Sequence, residues 1–60
     1  PDPHIYRSFL HKFDLRPEEC VFIDDTPINV EGALYENMAG IVFNMDVPAL
    51  AESLRALGVE

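Results

Sequence analysis

An apolar run that ends in two adjacent carboxylates is the feature that most constrains the fold of this chain. Residues 20–23 are all apolar, and Asp24 and Asp25 follow them directly. A strand that is continuously apolar, rather than alternating, is typical of a parallel sheet that is covered on both faces. Open sheets of this kind bind their ligands at the carboxyl ends of the strands. The run therefore predicts an α/β fold with the acidic pair at the ligand-binding edge.

The acidic pair itself predicts a metal site. Two neighbouring carboxylates repel each other and interrupt an apolar segment, so packing alone does not explain them. Carboxylate oxygens suit Mg²⁺, which is commonly held by one or two carboxylates together with water and substrate phosphates. We therefore expect Asp25 and Asp24 to bind Mg²⁺. The competing interpretation is a non-catalytic structural fragment in which the pair caps the next helix, an interaction of about 0.3–1 kcal/mol that explains one Asp better than two.

Helical spacing and helix-end signals predict an α-β-α-β-α order. An acidic cap followed by proline opens the first helix, and Thr26 is expected to cap the second. A right-handed crossover makes the two strands parallel and adjacent. The predicted elements are a helix over residues 3–13, a strand over 20–23, a helix from Pro27 to Tyr35, a strand over 40–43, and a helix opened by residues 46–48 and ended by Gly58.

Apolar residues at helical spacing predict the interior, and residues that tolerate a positive φ predict the turns. Gly32, inside the second helix, costs about 1 kcal/mol relative to Ala and predicts close approach of that helix to the sheet. Asp14 is expected in a left-handed or turn conformation, and either Asn37 or Gly40 at the end of the second helix. The expected interior positions include Tyr6, Phe9, Phe13, Cys20, Val30, Ala33, Leu34 and Met38.

The length of the chain allows one small unit, because it has sixty residues. A chain of this size buries only about 60% of the surface that it exposes when unfolded. Two strands do not complete a parallel sheet, which usually has more. We therefore expect residues 1–60 to be a partial core domain, whose sheet needs the rest of that domain or another copy of the chain to cover it.

The composition argues against several classes of partner. Eleven Asp and Glu residues outnumber four scattered Lys and Arg residues, so the formal net charge is −7. Nucleic-acid binding is not expected, because no basic cluster is present to neutralise phosphates. Membrane insertion is not expected either, since no apolar stretch approaches the roughly 20 residues that a span needs. Cys20, the single cysteine, suits a reducing compartment and indicates a cytoplasmic protein.

Three segments carry a resemblance to a known family: residues 1–6 (PDPHIY), 17–20 (PEEC) and 21–33 (VFIDDTPINVEGA). In this order and spacing they resemble the C-terminal part of the core domain of haloacid dehalogenase-like (HAD) hydrolases, in the phosphatase-type branch with an α-helical cap. The resemblance covers almost the whole chain. It implies a Rossmann-like, doubly wound sheet. It also implies a Mg²⁺-dependent phosphatase that acts on a small phosphorylated metabolite through an aspartyl-phosphate intermediate.

The resemblance implies a role for each residue around the acidic pair. Asp25 matches the direct Mg²⁺ ligand, and Asp24 would bind the metal directly or through a water. Asn29 stands where many relatives carry another Asp, and its amide would orient the lysine of the site or a metal-bound water. Thr26 is expected mainly to cap the helix, and could also offer its hydroxyl or amide to the site. True dehalogenases typically have small polar residues at the pair, which favours the phosphatase branch.

By the same resemblance, three other motifs complete the site, and none is found in these sixty residues. They are a DxD loop with the nucleophilic Asp, a Ser or Thr that binds the phosphoryl group, and a Lys expected immediately before Pro1. Because the nucleophile is missing, the isolated chain is expected to be inactive.

A receiver domain of two-component signalling is the nearest alternative. Receivers also carry an acidic pair after an apolar strand, use Mg²⁺ and form an aspartyl phosphate. Against this interpretation, a capped helix precedes the strand, and the gap from Asp25 to Ile41 is a few residues short. The phospho-accepting Asp and the later Lys of a receiver also have no counterpart here.

Overall fold

The computed structural model describes residues 2–59 and confirms the α/β class and the α-β-α-β-α order. Pro1, the first residue of the PDP segment, lies outside the described residues. A short 3₁₀ turn at Pro17–Glu19 precedes the first strand. The helices are α1 (Pro3–Lys12), α2 (Pro27–Tyr35) and α3 (Val47–Ala56), and the strands are β1 (Val21–Asp24) and β2 (Ala39–Val42).

The two strands form a parallel sheet, as expected from the crossover. Their register runs from Val21 opposite Ala39 to Asp24 opposite Val42. The main-chain carbonyl of Asp24 also accepts a hydrogen bond from the Phe43 amide at 2.8 Å. The two residues of the acidic pair therefore lie in different parts of the fold, because Asp24 is the last residue of β1 and Asp25 lies in the connection that follows it.

Both strands are displaced by one residue from the predicted ranges of 20–23 and 40–43. Cys20 is not part of β1, because its amide donates to the carbonyl of Pro17 at 3.0 Å and ends the 3₁₀ turn. Its thiol donates to the Arg16 carbonyl at 3.2 Å, and the residue is half-buried. The predicted strand therefore starts one residue too early, whereas the predicted packing of Cys20 against the core is confirmed.

The predicted helix-end signals hold at most positions. The carboxylate of Asp2 accepts from the His4 amide at 2.9 Å, and that of Asp46 accepts from the Ala49 amide at 3.0 Å. The expected positive φ angles are found at Asp14 and Asn37, at 52° and 68°, and Gly58, which was predicted to end the third helix, has a φ of 88°. The first helix ends at Lys12, one residue earlier than predicted. Among residues 2–59, no helix is long and apolar enough to cross a membrane.

The buried core lies between α1, α2 and the sheet, and it is small. Its buried members are Tyr6, Leu10, Val30, Ala33 and Met38. Three predicted interior residues are exposed instead, with 54% of Phe9, 55% of Phe13 and 51% of Leu34 accessible. Helical spacing identifies which apolar residues share a face of a helix, and it does not show whether another element covers that face. The described residues provide no element to cover these three.

Gly32 and Gly40 each allow two elements to pack closely. The close approach predicted at Gly32 is found, but its partner is α1 and not the sheet. A Cβ at Gly32 would lie 2.6 Å from the Tyr6 hydroxyl, so this glycine admits α1 rather than the sheet. A Cβ at Gly40 would lie 2.6 Å from Cγ1 of Val30. The contact between α2 and the sheet therefore depends on the glycine in β2.

An open apolar groove of about 300 Å³ runs along β1. Its lining includes Ile5 and Phe9 of α1 and Phe22 and Ile23 of β1. Among the described residues, β1 pairs only with β2. The expectation that the rest of the domain or another copy covers this surface stays a prediction.

We predict that residues 1–60 produced alone are only marginally stable, because the core is small and Ile5, Phe9 and Ile23 remain exposed. Thermal unfolding followed by circular dichroism measures this, with and without the remainder of the full-length protein added in trans. The added remainder should raise the midpoint. A cooperative, monomeric transition of the isolated segment well above ambient temperature would contradict the prediction.

Candidate metal site

The acidic pair lies between the carboxyl end of β1 and the first turn of α2. Asp24 is half-buried at the end of the strand, and Asp25 is exposed in the connection. Thr26 occupies the N-cap position of α2, and Pro27 opens the helix. The pair is therefore at the edge where parallel sheets bind ligands.

The carboxylate of Asp24 is held by two donors from the start of α2. The Thr26 amide donates to Oδ1 at 3.0 Å, and the Asn29 side-chain amide donates to Oδ2 at 3.1 Å. The Thr26 hydrogen bond is the main cause that holds the pKa of Asp24 below its usual value, and the hydrogen bond from the Asn29 amide contributes further. Asp24 is thus a fixed, readily ionised carboxylate.

Asp25 is held much less firmly than Asp24. Its Oδ1 accepts a single side-chain hydrogen bond, from the Thr26 hydroxyl at 3.2 Å. Thr26 is the N-cap residue of α2 as predicted, but its side chain makes no capping hydrogen bond to the helix. The Thr26 hydroxyl instead donates to Asp25, while the Thr26 amide donates to Asp24. Asp25 is therefore an exposed carboxylate that is able to turn toward a ligand.

The capping interpretation explains only half of the acidic pair. Asp24 accepts a backbone N–H near the start of α2, where the helix dipole favours a negative charge. Asp25 accepts no backbone N–H among the hydrogen bonds of the described residues. Helix capping therefore accounts for the strand-end carboxylate and leaves the exposed one without a structural role.

The donor set fits Mg²⁺ bound by few protein ligands. Among residues 2–59, no group of three or more His, Cys, Asp or Glu side chains is placed to hold a metal, so the chain forms no all-protein cage. Mg²⁺ is usually held by one or two carboxylates and keeps several waters or phosphate oxygens. Each oxygen of Asp24 accepts one hydrogen bond and retains a further lone pair. Asp24 and Asp25 therefore could hold Mg²⁺.

Tyr6 is connected to this site although the sequence predicted only a core role for it. Its hydroxyl donates to the main-chain carbonyl of Asn29 at 2.6 Å. The residue type is the one signal for this contact in the sequence. A buried tyrosine hydroxyl usually has a hydrogen-bond partner, whereas a phenylalanine at the same position needs none.

Comparison with known proteins gives one informative similarity. The chain is 37% identical over 59 residues to flavin mononucleotide hydrolase 1 of Arabidopsis thaliana, whose name describes it as chloroplastic. The match covers 98% of this chain and 24% of that protein, so the chain spans about a quarter of the relative's length. No family model matches the chain.

We predict that Asn29→Ala raises the pKa of Asp24 toward its ordinary value, because it removes the donor at Oδ2. Since the fold lowers this pKa, the stability that Asp24 contributes is present above its unfolded-state pKa and lost as the pH falls through the lowered value. NMR titration of the Asp24 carboxyl carbon measures the shift. Asn37→Gly is the control, because it removes an amide beyond the far end of α2 at a positive φ that suits glycine. An unchanged midpoint in Asn29→Ala would contradict the assignment.

Proposed function

We propose that the chain is part of a haloacid dehalogenase-like hydrolase and that the whole protein is a Mg²⁺-dependent phosphatase. The similarity to a hydrolase along nearly the whole chain supports this reaction class over a receiver domain. The observation that carries the proposal is the contrast within the acidic pair, where a fixed Asp24 stands beside an exposed Asp25.

In the proposed site, Asp25 binds Mg²⁺ directly and Asp24 binds it directly or through a water. When bound, Mg²⁺ offsets the repulsion between a dianionic phosphate ester and an Asp nucleophile. The chain's own contribution is preorganisation. The donors on Asp24 fix its carboxylate before any ligand arrives, and Asn29 supplies one of them. Thr26 restrains Asp25 through one hydrogen bond.

The proposed reaction passes through an aspartyl-phosphate intermediate. By the family resemblance, the nucleophilic Asp and the phosphate-binding Ser or Thr and Lys are supplied by the remainder of the protein. The same remainder is proposed to cover the apolar groove along β1. In this arrangement residues 1–60 contribute the metal-holding part of the site, and the isolated segment has no activity.

We propose a small phosphorylated metabolite as the substrate. The relative's name gives flavin mononucleotide, which is therefore the first compound to test. The matched segment contains the acidic pair, so the similarity supports the type of reaction more directly than the choice of substrate. A cytoplasmic location is proposed from the single thiol, whereas the relative's name gives the chloroplast.

We predict that Asp25→Asn in the full-length protein lowers Mg²⁺-dependent phosphate release from flavin mononucleotide by about 100-fold or more, and Asp24→Asn by about tenfold or more. Both changes remove a negative charge from the metal site. Asp46→Asn is the matched control, because Asn caps α3 as well as Asp does. Undiminished Mg²⁺-dependent hydrolysis by Asp25→Asn would contradict the proposal.

We also predict that residues 1–60 alone release no phosphate from flavin mononucleotide above the buffer rate, because the chain lacks the nucleophile motif. A colorimetric phosphate assay with the full-length protein as positive control tests this. Phosphate release by the segment that disappears in its Asp25→Asn variant would show that the segment is active by itself.

A further inference from the structure

Tyr6 of α1 touches both elements that flank the acidic pair. Its hydroxyl donates to the Asn29 carbonyl in the first turn of α2. Its ring meets Phe22 of β1 edge to face, with centroids 5.4 Å apart and planes at 78°. Phe22 lies two residues before Asp24. One side chain from a third element thus spans the junction between β1 and α2.

The Tyr6 side chain has little freedom to move. Only 4% of its surface is exposed. It rests on Gly32, where even a Cβ atom would lie 2.6 Å from the hydroxyl oxygen and 2.9 Å from Cε2. A residue held in this way transmits its position to whatever it binds. Here the bound group is the backbone of Asn29, whose side chain donates to Asp24.

We propose that Tyr6 is a positioning residue for the metal site, acting through Asn29 on the carboxylate of Asp24. The inference rests on the proposed function, because it assigns Tyr6 to the site that binds Mg²⁺. The Tyr6 hydroxyl fixes the first turn of α2, and that turn directs the Asn29 amide at Oδ2 of Asp24. The 3.1 Å separation of that last pair is near the long end of N–H···O geometry, so a displacement of a few tenths of an ångström weakens it.

A second contact between α1 and α2 distinguishes this role of the Tyr6 hydroxyl from merely docking α1 on α2. Arg7 binds Glu36 in a two-point ion pair, with Nε–Oε1 at 2.6 Å and Nη2–Oε2 at 3.2 Å. Glu36 directly follows the last residue of α2, whereas Asn29 lies in its first turn. Without the Tyr6 hydroxyl, the ion pair and the aromatic ring still hold α1 against α2. The hydroxyl joins α1 to the end of α2 nearest the acidic pair.

Tyr6→Phe in the full-length protein tests the proposal, and Tyr35→Phe is the matched control. Tyr35 is the last residue of α2 and is 85% exposed, so Tyr35→Phe deletes a tyrosine hydroxyl without removing a buried contact. The first measurement is the NMR signal of the Asn29 side-chain amide in metal-free protein. The second is the dependence of flavin mononucleotide hydrolysis on Mg²⁺ concentration.

We expect Tyr6→Phe to shift the Asn29 amide signal and to raise the half-saturating Mg²⁺ concentration about three- to tenfold, the effect of one lost hydrogen bond. The rate at saturating Mg²⁺ should change by less than about twofold, because the metal site refills. Tyr35→Phe should change none of these quantities.

An unshifted Asn29 amide signal in Tyr6→Phe would overturn the proposal, and so would an unchanged half-saturating Mg²⁺ concentration. Hydrolysis by the wild type that does not depend on Mg²⁺ would refute the proposed function. The Asn29 amide signal of Tyr6→Phe would still show whether Tyr6 positions Asn29. Should Tyr6→Phe fail to fold, Gly32→Ala displaces the hydroxyl instead and must shift the same amide signal.

Discussion

The pair of hydrogen bonds onto the carboxylate of Asp24 is the interaction on which the candidate site depends. The Thr26 amide and the Asn29 side chain bind its two oxygens from the start of α2. These bonds join the last residue of β1 to the helix that follows it, and they lower the pKa of the carboxyl. They also occupy Asp24 with structural partners, so the exposed Asp25 is the freer carboxylate for a ligand.

This junction is maintained by close packing further from the site. Gly40 lets α2 approach the sheet, and Gly32 lets the Tyr6 ring lie against α2. Gly32 lies in a helix and Gly40 in a strand, but both allow two elements to pack closely, because neither has a Cβ atom at the contact. The site is therefore supported by three elements, β1, α2 and α1, although its acidic residues come from a single short stretch of sequence.

Local chemistry made much of the fold predictable, and the remainder depends on long-range contacts whose partners the sequence does not identify. The Asp2 and Asp46 caps use their own neighbours as partners, so the sequence reveals them. Exposure of Phe9 was not predictable, because periodicity identifies an apolar face and not the element that covers it. The Tyr6 bond was missed because its acceptor is a backbone carbonyl, which every residue has. The position of the acidic pair was predictable, since strand, pair and helix are consecutive.

Location of a bound cation by NMR tests the central claim, that the acidic pair holds the metal. Mn²⁺ favours the same oxygen ligands as Mg²⁺ and broadens the signals of nearby nuclei. In the full-length protein, low Mn²⁺ should first broaden the amide signals of residues 24–29, excess Mg²⁺ should restore them, and Asp25→Asn should abolish the effect. Broadening that begins at Glu18, Glu19 or Glu31, or that persists in Asp25→Asn, would show diffuse cation binding to an acidic surface and contradict the claim.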